Sequence, residues 1–351
     1  MERALPRHPL TPRPTDVHGR GLGKLRISVT DRCNLRCRYC MPREHYTWMP
    51  SASLLDFEEI ARCTRVLASL GVERLRLTGG EPLLRRELHV LVEQLAAIEG
   101  IRSVALTTNG ILLAEQAHAL HAAGLQGVTV SLDTLQADRF VRIASRDGLL
   151  RVLAGFDAAI HAGFTRMKLN TVVMRGYNED EINDLIAFAR ERAIEPRFIE
   201  YMDVGGAVDW SPALVVPRTE ILARVQAVHG PLRQLHNRDG SPSDRFQLPD
   251  GFVMGVISST TQPFCSRCDR ARMTADGTLF TCLYAQHGLD LRALLRGNPD
   301  DAALRQSVER RWSQRTDRGA EQRLALADRG PLVSAEALLA NPRLEMHKRG
   351  G

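Results

Sequence analysis

Aromatic side chains are scarce in this chain, at 5% of its 351 residues. Surfaces that bind single-stranded nucleic acid stack successive bases on aromatic rings placed between basic residues. No basic stretch of this sequence is interleaved with Phe or Tyr in that way. We therefore expect no nucleic-acid partner, and the net charge of +6 suits smaller anionic ligands such as nucleotides.

Long apolar runs are also missing. The longest, such as residues 251–257, fall far short of the roughly 20 residues that cross a bilayer. No apolar signal-peptide core follows the first residues. We expect a cytoplasmic protein without a membrane segment, and the 44% hydrophobic content is that of an ordinary globular chain.

A disulfide framework is a third absence, because the 7 cysteines are odd in number and no secretion signal accompanies them. Cys63 lies on a helical apolar stripe, which predicts a small buried side chain. The other cysteines form two triplets, one of pattern Cys-x3-Cys-x2-Cys and one of pattern Cys-x2-Cys-x13-Cys. They are Cys33, Cys37 and Cys40, and Cys265, Cys268 and Cys282.

Clustered thiolates favour zinc, copper(I) or iron–sulfur clusters. Structural zinc needs four protein ligands, and each triplet supplies three. The first triplet packs its sulfurs onto one loop, as iron–sulfur runs do, and a cluster held by three cysteines leaves one iron open for a ligand. For the second triplet, Asp269 or His287 could complete a zinc site, so that zinc stays an alternative there.

Strand-like and helix-like segments alternate from residue 25 onward, which predicts an α/β fold with a parallel sheet. Within the helical segments, Asn178 and Glu181 have the spacing of a capping box. Six such units predict a partial (β/α)6 TIM-like barrel with a C-terminal cluster-binding extension, and a doubly wound sheet is the alternative. The predicted strands are residues 25–30, 74–78, 103–107, 127–132, 168–173 and 197–202.

Three regions follow from this pattern. Residues 1–24 are rich in Pro and Arg and predict a flexible N-terminal arm; residues 25–225 form the barrel. Residues 226–351 predict a C-terminal region with a hairpin at 249–251, the second triplet and an Arg-rich helical stretch. Because unusual polar residues follow the first four strands, we expect the functional site at the carboxyl ends of the strands.

The run Cys33-Asn-Leu-Arg-Cys37-Arg-Tyr39-Cys40, followed after the next strand by Gly79-Gly80-Glu81-Pro82, resembles the radical S-adenosylmethionine (SAM) superfamily. Residues 25–34, 78–86, 197–205 and 265–272, together with the terminal Gly-Gly, resemble the GTP 3′,8-cyclase family within it. The likeness extends from about residue 25 to the end of the chain. Arg74 departs from the pattern, because the family often carries Lys there.

This resemblance implies two [4Fe–4S] clusters, one on each cysteine triplet, and SAM as a further cofactor. It implies SAM contacts at Tyr39, Gly80, Ser131 and Met202. The residues implied to bind GTP are Arg26, Arg76, Thr107, Lys168, Arg270, Ala271 and Arg272. Gly350 and Gly351 are implied to reach into the active site and to act in catalysis.

The implied reaction is that of a lyase in molybdenum cofactor biosynthesis. A 5′-deoxyadenosyl radical from SAM abstracts the ribose 3′ hydrogen of GTP, and the 3′ carbon bonds to guanine C8, giving 3′,8-cyclo-7,8-dihydro-GTP. Implied partners are a flavodoxin- or ferredoxin-like electron donor and, downstream, the cyclic pyranopterin monophosphate synthase. We also expect a homodimer.

Two other functions compete with this one. A different radical SAM enzyme, acting on a peptide or RNA, would share the first triplet and the partial barrel. A non-enzymatic zinc or iron–sulfur scaffold would bind nucleic acid through the basic C-terminal part, which includes Arg310, Arg311, Arg315 and Arg318.

Overall fold

The computed structural model describes residues 13–42, 45–236, 241–297 and 300–350. Its centre is a 12-stranded sheet in the order β12-β11-β10-β1-β2-β3-β4-β5-β6-β9-β8-β7. The strands are β1 (Lys24–Ser28), β2 (Arg74–Thr78), β3 (Ser103–Thr108), β4 (Gly127–Ser131), β5 (Met167–Val173), β6 (Glu195–Glu200), β7 (Arg233–Leu235), β8 (Asp244–Gln247), β9 (Val253–Ile257), β10 (Arg270–Met273), β11 (Thr278–Phe280) and β12 (Leu289–Asp290).

Strands β1 to β6 run parallel and follow one another in chain order across the sheet. A doubly wound sheet would reverse its strand order part-way, so the structure confirms the partial barrel. Two strands from the predicted C-terminal region extend it: β9 pairs in parallel with β6, and β10 with β1. The predicted hairpin is β8 and β9, which pair antiparallel.

Helices connect the parallel strands and cover the sheet because each buries one apolar stripe. In α1, for example, Ile60, Cys63 and Leu67 are each 1% exposed, which confirms the buried position predicted for Cys63. The helices are α1 (Phe57–Ser69), α2 (Leu88–Ala96), α3 (Leu113–Ala122), α4 (Ala137–Ala144), α5 (Leu149–His161), α6 (Ile182–Glu191), α7 (Arg218–His229), α8 (Leu291–Gly297), α9 (Asp301–Ser313), α10 (Gly319–Leu324) and α11 (Ala335–Ala340). Across the described ranges, none of them has both the length and the apolar character that a membrane crossing requires.

The capping box predicted before α6 is wrong. The Asn178 side chain accepts a hydrogen bond from the Met174 backbone N–H at 2.8 Å instead of capping the helix. The Glu181 carboxylate accepts from Thr134 Oγ1 at 2.6 Å and from the Leu135 backbone N–H at 2.8 Å. The Asn178 amide also donates to the Asp133 carbonyl at 2.8 Å, so both side chains contact the loop after β4, which carries residues of the site.

The flexible arm predicted for residues 1–24 is wrong for its described part, residues 13–24. Asp16 and Arg20 are buried, at 5% and 6% exposure, and Leu22 joins the core. The Trp312 indole N–H donates to the Arg20 carbonyl at 3.0 Å, which joins this segment to α9. Residues 1–12 lie outside the described residues.

Candidate functional site

A cavity of about 280 Å³ is lined by the carboxyl ends of the parallel strands, where ligands gather in α/β sheets, and also by residues at the start of β10. Its wall contains all six triplet cysteines, although more than 220 residues separate the two triplets in the chain. Cys268 directly precedes β10 and the first triplet follows β1; because these two strands run parallel, the triplets lie toward opposite ends of the strands and face the cavity between them.

The first triplet occupies the loop after β1. Cys33 Sγ accepts from the Leu35 backbone N–H at 3.5 Å and lies 3.9 Å from Asn109 Nδ2. Burial raises the pKa of Cys33 to about 11, and the nearby Glu81 carboxylate adds to the rise. Burial also raises the pKa of Cys37 and of Cys40. In the absence of a metal these thiols are protonated at neutral pH.

The second triplet has basic neighbours. Arg270 Nη2 lies 3.7 Å from Cys268 Sγ. Burial alone would raise the pKa of Cys268, but the positive charges of Arg270 and Arg315 outweigh it and lower the pKa to about 6. Burial raises the pKa of Cys265 and Cys282, partly offset by backbone N–H groups that donate to their sulfurs.

The two triplets fit iron–sulfur clusters better than single ions. Across the described part of the chain, no three Cys, His, Asp or Glu side chains converge closely enough to hold one metal ion. Of the two candidate fourth ligands for zinc at the second triplet, Asp269 pairs with Lys24 Nζ at 3.2 Å, and His287 does not line the cavity. Cysteine thiols spread around a cavity match a larger inorganic group, which they would bind at its edges.

All four predicted SAM contacts line this cavity: Tyr39, Gly80, Ser131 and Met202. The Tyr39 hydroxyl donates to Asp133 Oδ2 at 2.8 Å, and burial raises the pKa of that carboxyl to about 6. A Cβ at Gly80 would lie 2.2 Å from the Arg32 carbonyl oxygen, so only glycine fits where this turn meets the cysteine loop.

The predicted GTP residues divide between this cavity and a second one of about 200 Å³ that shares part of its wall. Arg26, Thr107 and Arg270 line both cavities. Arg272 lines the first cavity, and Arg76 and Lys168 line the second. The structure does not bring Ala271 to either, because alternate residues of β10 face opposite sides and its methyl group is 0% exposed in the core.

The second cavity is strongly basic. Arg74 also lines it, as do three basic residues that sequence reasoning missed: Lys24, Arg166 and Arg197. Burial lowers the pKa of Lys168 to about 7, and repulsion from Arg197 and Arg76 adds to that shift. Crowded buried cations of this kind are stabilised when an anion binds between them.

The C-terminal tail enters the site. The Gly350 carbonyl accepts from Arg26 Nη1 at 2.8 Å and from Arg272 Nη1 at 2.7 Å. Gly350 has a φ of +65°, and a Cβ there would lie 2.1 Å from Thr78 Oγ1. Gly350 therefore contacts two arginines that line the first cavity, whereas Gly351 lies outside the described residues.

The basic C-terminal face proposed for nucleic-acid binding loses one of its arginines, because Arg315 is only 3% exposed.

Asp133 is a further site residue that sequence reasoning left without a role. Its position directly after a predicted strand was the available signal.

Comparisons with known proteins agree with this geometry. Residues 27–189 match the model of the radical SAM superfamily, and residues 194–321 match that of the molybdenum cofactor synthesis C-terminal domain. The crystal structure of Streptococcus suis SuiB superposes with a TM-score of 0.61, over 88% of this chain and 69% of that one. At 13% identity this likeness supports the fold alone.

Two curated relatives match most of the chain. GTP 3′,8-cyclase 1 of Mycobacterium tuberculosis is 50% identical over 336 residues, which are 95% of this chain and 94% of the relative. GTP 3′,8-cyclase of Acidothermus cellulolyticus is 51% identical over 324 residues, 89% of each. The chain therefore belongs to the radical SAM superfamily and, within it, to the GTP 3′,8-cyclase family.

Proposed function

We propose that this chain is a GTP 3′,8-cyclase, which joins the ribose 3′ carbon of GTP to guanine C8 in molybdenum cofactor biosynthesis. The observation that carries the proposal is the meeting of both cysteine triplets around one cavity, with a basic cavity beside it. A cluster on the first triplet, when bound, supplies one-electron chemistry toward SAM, and a cluster on the second supplies an open iron for guanine.

The charge distribution supports this placement of the two nucleosides. Glu81 and Asp133 lie beside the first triplet. SAM carries a sulfonium cation, which such acidic surroundings stabilise. Tyr39, Gly80, Ser131 and Met202 would hold SAM there, with Gly80 providing close backbone approach.

GTP carries its charge on the triphosphate, and the second cavity supplies the matching cations. Arg76 comes from β2, and Lys168 and Arg197 come from β5 and β6; all three line this space. Arg76 is held in place by hydrogen bonds from Nη1 to Thr107 Oγ1 at 3.1 Å and to Thr129 Oγ1 at 3.0 Å. Guanidinium groups in fixed orientations bind phosphate oxygens in pairs. The triphosphate would thus anchor GTP, with its base toward Cys268 and Arg270 in the first cavity.

The tail would close the site over both ligands. His347, Lys348 and Arg349 are each at most 4% exposed, so the last described turn is buried rather than frayed. A reactive carbon radical needs a cavity from which solvent and stray hydrogen donors are excluded. Gly350 would complete that enclosure between Arg26 and Arg272, which is the role we assign to the Gly-Gly end in catalysis.

The reaction also needs partners. Reduction of the first cluster requires an external one-electron donor, which we expect to be a flavodoxin- or ferredoxin-like protein. The cyclised nucleotide would pass to the cyclic pyranopterin monophosphate synthase. We keep the homodimer as a prediction, to be checked by sedimentation.

Product analysis tests the proposed function. The protein is reconstituted anaerobically with iron and sulfide, then incubated with dithionite, SAM and GTP deuterated at C3′. We expect 5′-deoxyadenosine that carries deuterium, together with a cyclised nucleotide that has the mass of unlabelled GTP, because an electron from dithionite and a solvent proton replace the deuterium that was transferred. Formation of 5′-deoxyadenosine without deuterium and without conversion of GTP would refute the cyclase and retain only the superfamily.

A further inference from the structure

Three charged side chains form a buried network behind the C-terminal cysteine loop. Asp16 and Arg20 belong to the N-terminal segment, and Arg315 follows α9. All three residues are at most 6% exposed. None of them lines either cavity, so contact with SAM or GTP does not explain their burial.

The Asp16 carboxylate joins the two arginines. Arg20 Nε donates to Asp16 Oδ2 at 2.6 Å, and Arg315 Nη1 lies 3.4 Å from the same oxygen. The other carboxylate oxygen, Oδ1, accepts from the backbone N–H groups of His18 and Arg20, both at 2.9 Å. The Arg315 guanidinium also stacks over the Trp312 ring, 4.5 Å from its centroid. These contacts fix both guanidinium groups in one orientation.

Each arginine then holds one cysteine of the loop from behind. Arg20 Nη1 donates to the Cys265 carbonyl at 2.7 Å. Arg315 Nη1 donates to the Cys268 carbonyl at 2.8 Å. The two carbonyl groups belong to two of the three predicted cluster ligands. Hydrogen bonds to the backbone of ligating residues orient the ligands and are a common way in which proteins tune a metal centre.

The network also leaves positive charge beside the loop. Two guanidinium groups face one buried carboxylate, and Arg20 Nη2 is buried without a hydrogen-bond partner among the described residues. A second carboxylate, Asp317, lies 3.7 Å from Arg315 Nε, but its side chain is 27% exposed and water weakens its effect. Apolar residues of similar size would join these segments without burying charges, so that packing alone does not account for the network.

We propose that Arg20 and Arg315, held by Asp16, are positioning residues for a cluster on the C-terminal triplet. They fix Cys265 and Cys268, and their positive charge stabilises the reduced cluster, which raises its midpoint potential. This inference rests on the proposed function, because that function places a cluster on this triplet.

A redox titration followed by electron paramagnetic resonance tests the inference. The full-length chain carrying C33A, C37A and C40A is reconstituted anaerobically, so that only the C-terminal cluster contributes to the signal. We expect Arg315→Gln to shift the midpoint to a more negative potential and to change the spectrum. Arg315→Lys, which keeps the charge, should stay near the parent midpoint, and Arg20→Gln should shift in the same direction as Arg315→Gln.

A second readout uses the chain with all its cysteines. Arg315→Gln should still form 5′-deoxyadenosine from SAM, because the first triplet is untouched. Its conversion of GTP should fall about 10- to 100-fold, the size of effect that residues behind metal ligands have. Glu220→Gln is the matched control, since Glu220 also joins two arginines, Arg175 and Arg224, but contacts neither triplet.

The outcomes separate the inference from the proposed function. If Arg315→Gln and Arg20→Gln both keep the iron content, midpoint potential and spectrum of the parent, the inference is wrong, although the assignment of a cluster to the second triplet still holds. Equal shifts in Arg315→Lys and Arg315→Gln would contradict the role of charge. Loss of iron with an unchanged melting temperature would support positioning. A parent chain that binds no iron at the second triplet would instead overturn the cluster assignment, and this inference with it.

Discussion

The two cysteine triplets line one cavity but have opposite electrostatic surroundings. Burial raises the pKa of every thiol in the first triplet, and carboxylates beside it, including Glu81 and Asp133, add to the rise. In the second triplet, Arg270 and Arg315 lower the pKa of Cys268 to about 6. Burial still raises the pKa of Cys265 and Cys282, so the contrast between the triplets rests on Cys268 and its two arginines. The acidic end suits a cationic ligand and the basic end an anionic one.

The difference extends to the supports behind the loops. The first loop is anchored by the Gly79-Gly80 turn, where Glu81 accepts from Thr108 Oγ1 at 2.6 Å and from the Asn109 backbone N–H at 2.7 Å. Arginines support the second loop, and one of them comes from the N-terminal segment. Four predictions test whether this contrast governs function.

Removing a ligand of the first triplet has the largest expected effect. Cys33→Ala should reduce 5′-deoxyadenosine formation to background, because two thiolates cannot hold the cluster that cleaves SAM. Iron analysis should show loss of one cluster. The matched control is Cys63→Ala, which changes a buried core cysteine and should keep both clusters and full SAM cleavage. Normal SAM cleavage by Cys33→Ala would refute the assignment of SAM to the first triplet.

The second-largest effect is expected when positive charge beside the second triplet is removed. Arg270→Ala combined with Arg272→Ala should weaken GTP binding by roughly a hundredfold or more, since each charged hydrogen bond contributes about 1.5–3 kcal/mol. Isothermal titration of the reconstituted protein measures it, with iron content checked in parallel. Arg151→Ala, at an exposed ion pair with Glu115, serves as control. An unchanged GTP affinity would reject the basic end as the GTP site.

The tail gives a smaller effect. Gly350→Val should lower turnover at least about tenfold, because a side chain at this φ of +65° would clash with Thr78 Oγ1. Both clusters should remain, as should SAM cleavage. Gly330→Ala is the control, since no atom lies within 4 Å of a Cβ placed there. Full turnover in Gly350→Val would show that the tail has no role in the reaction.

The smallest effect is a pH dependence of GTP binding. Burial and the neighbouring cations lower the pKa of Lys168 to about 7. The bound triphosphate would raise that pKa, so binding takes up a proton above pH 7 and affinity falls with rising pH, by at most about tenfold per unit. Lys168→Met should lose this part of the dependence. The titration of GTP itself is common to both proteins and cancels when their pH profiles are compared; identical profiles would contradict the role of Lys168.

Much of this site follows from local sequence patterns, and the rest does not. Regular apolar spacing located the strands, and the triplets stood out because thiols at such short intervals have few other uses. The sequence placed Asp16 and Arg20 in a flexible arm, because their burial involves contact with Arg315, about 300 residues later, which no local pattern shows. Arg166 and Arg197 could not be separated from surface cations, because only strand pairing brings them together. Asn178 and Glu181 have the spacing of a capping box, but in the structure their side chains accept hydrogen bonds from Met174 N–H and Thr134 Oγ1 instead of capping α6.

One titration tests the contrast most directly. Two full-length variants are compared by electron paramagnetic resonance, one retaining only the first triplet and the other only the second. We predict that GTP changes the spectrum of the second-triplet variant alone and that SAM changes the spectrum of the first-triplet variant alone. Perturbation of the first-triplet cluster by GTP, with no response from the second, would contradict the division of the cavity between a cationic and an anionic ligand.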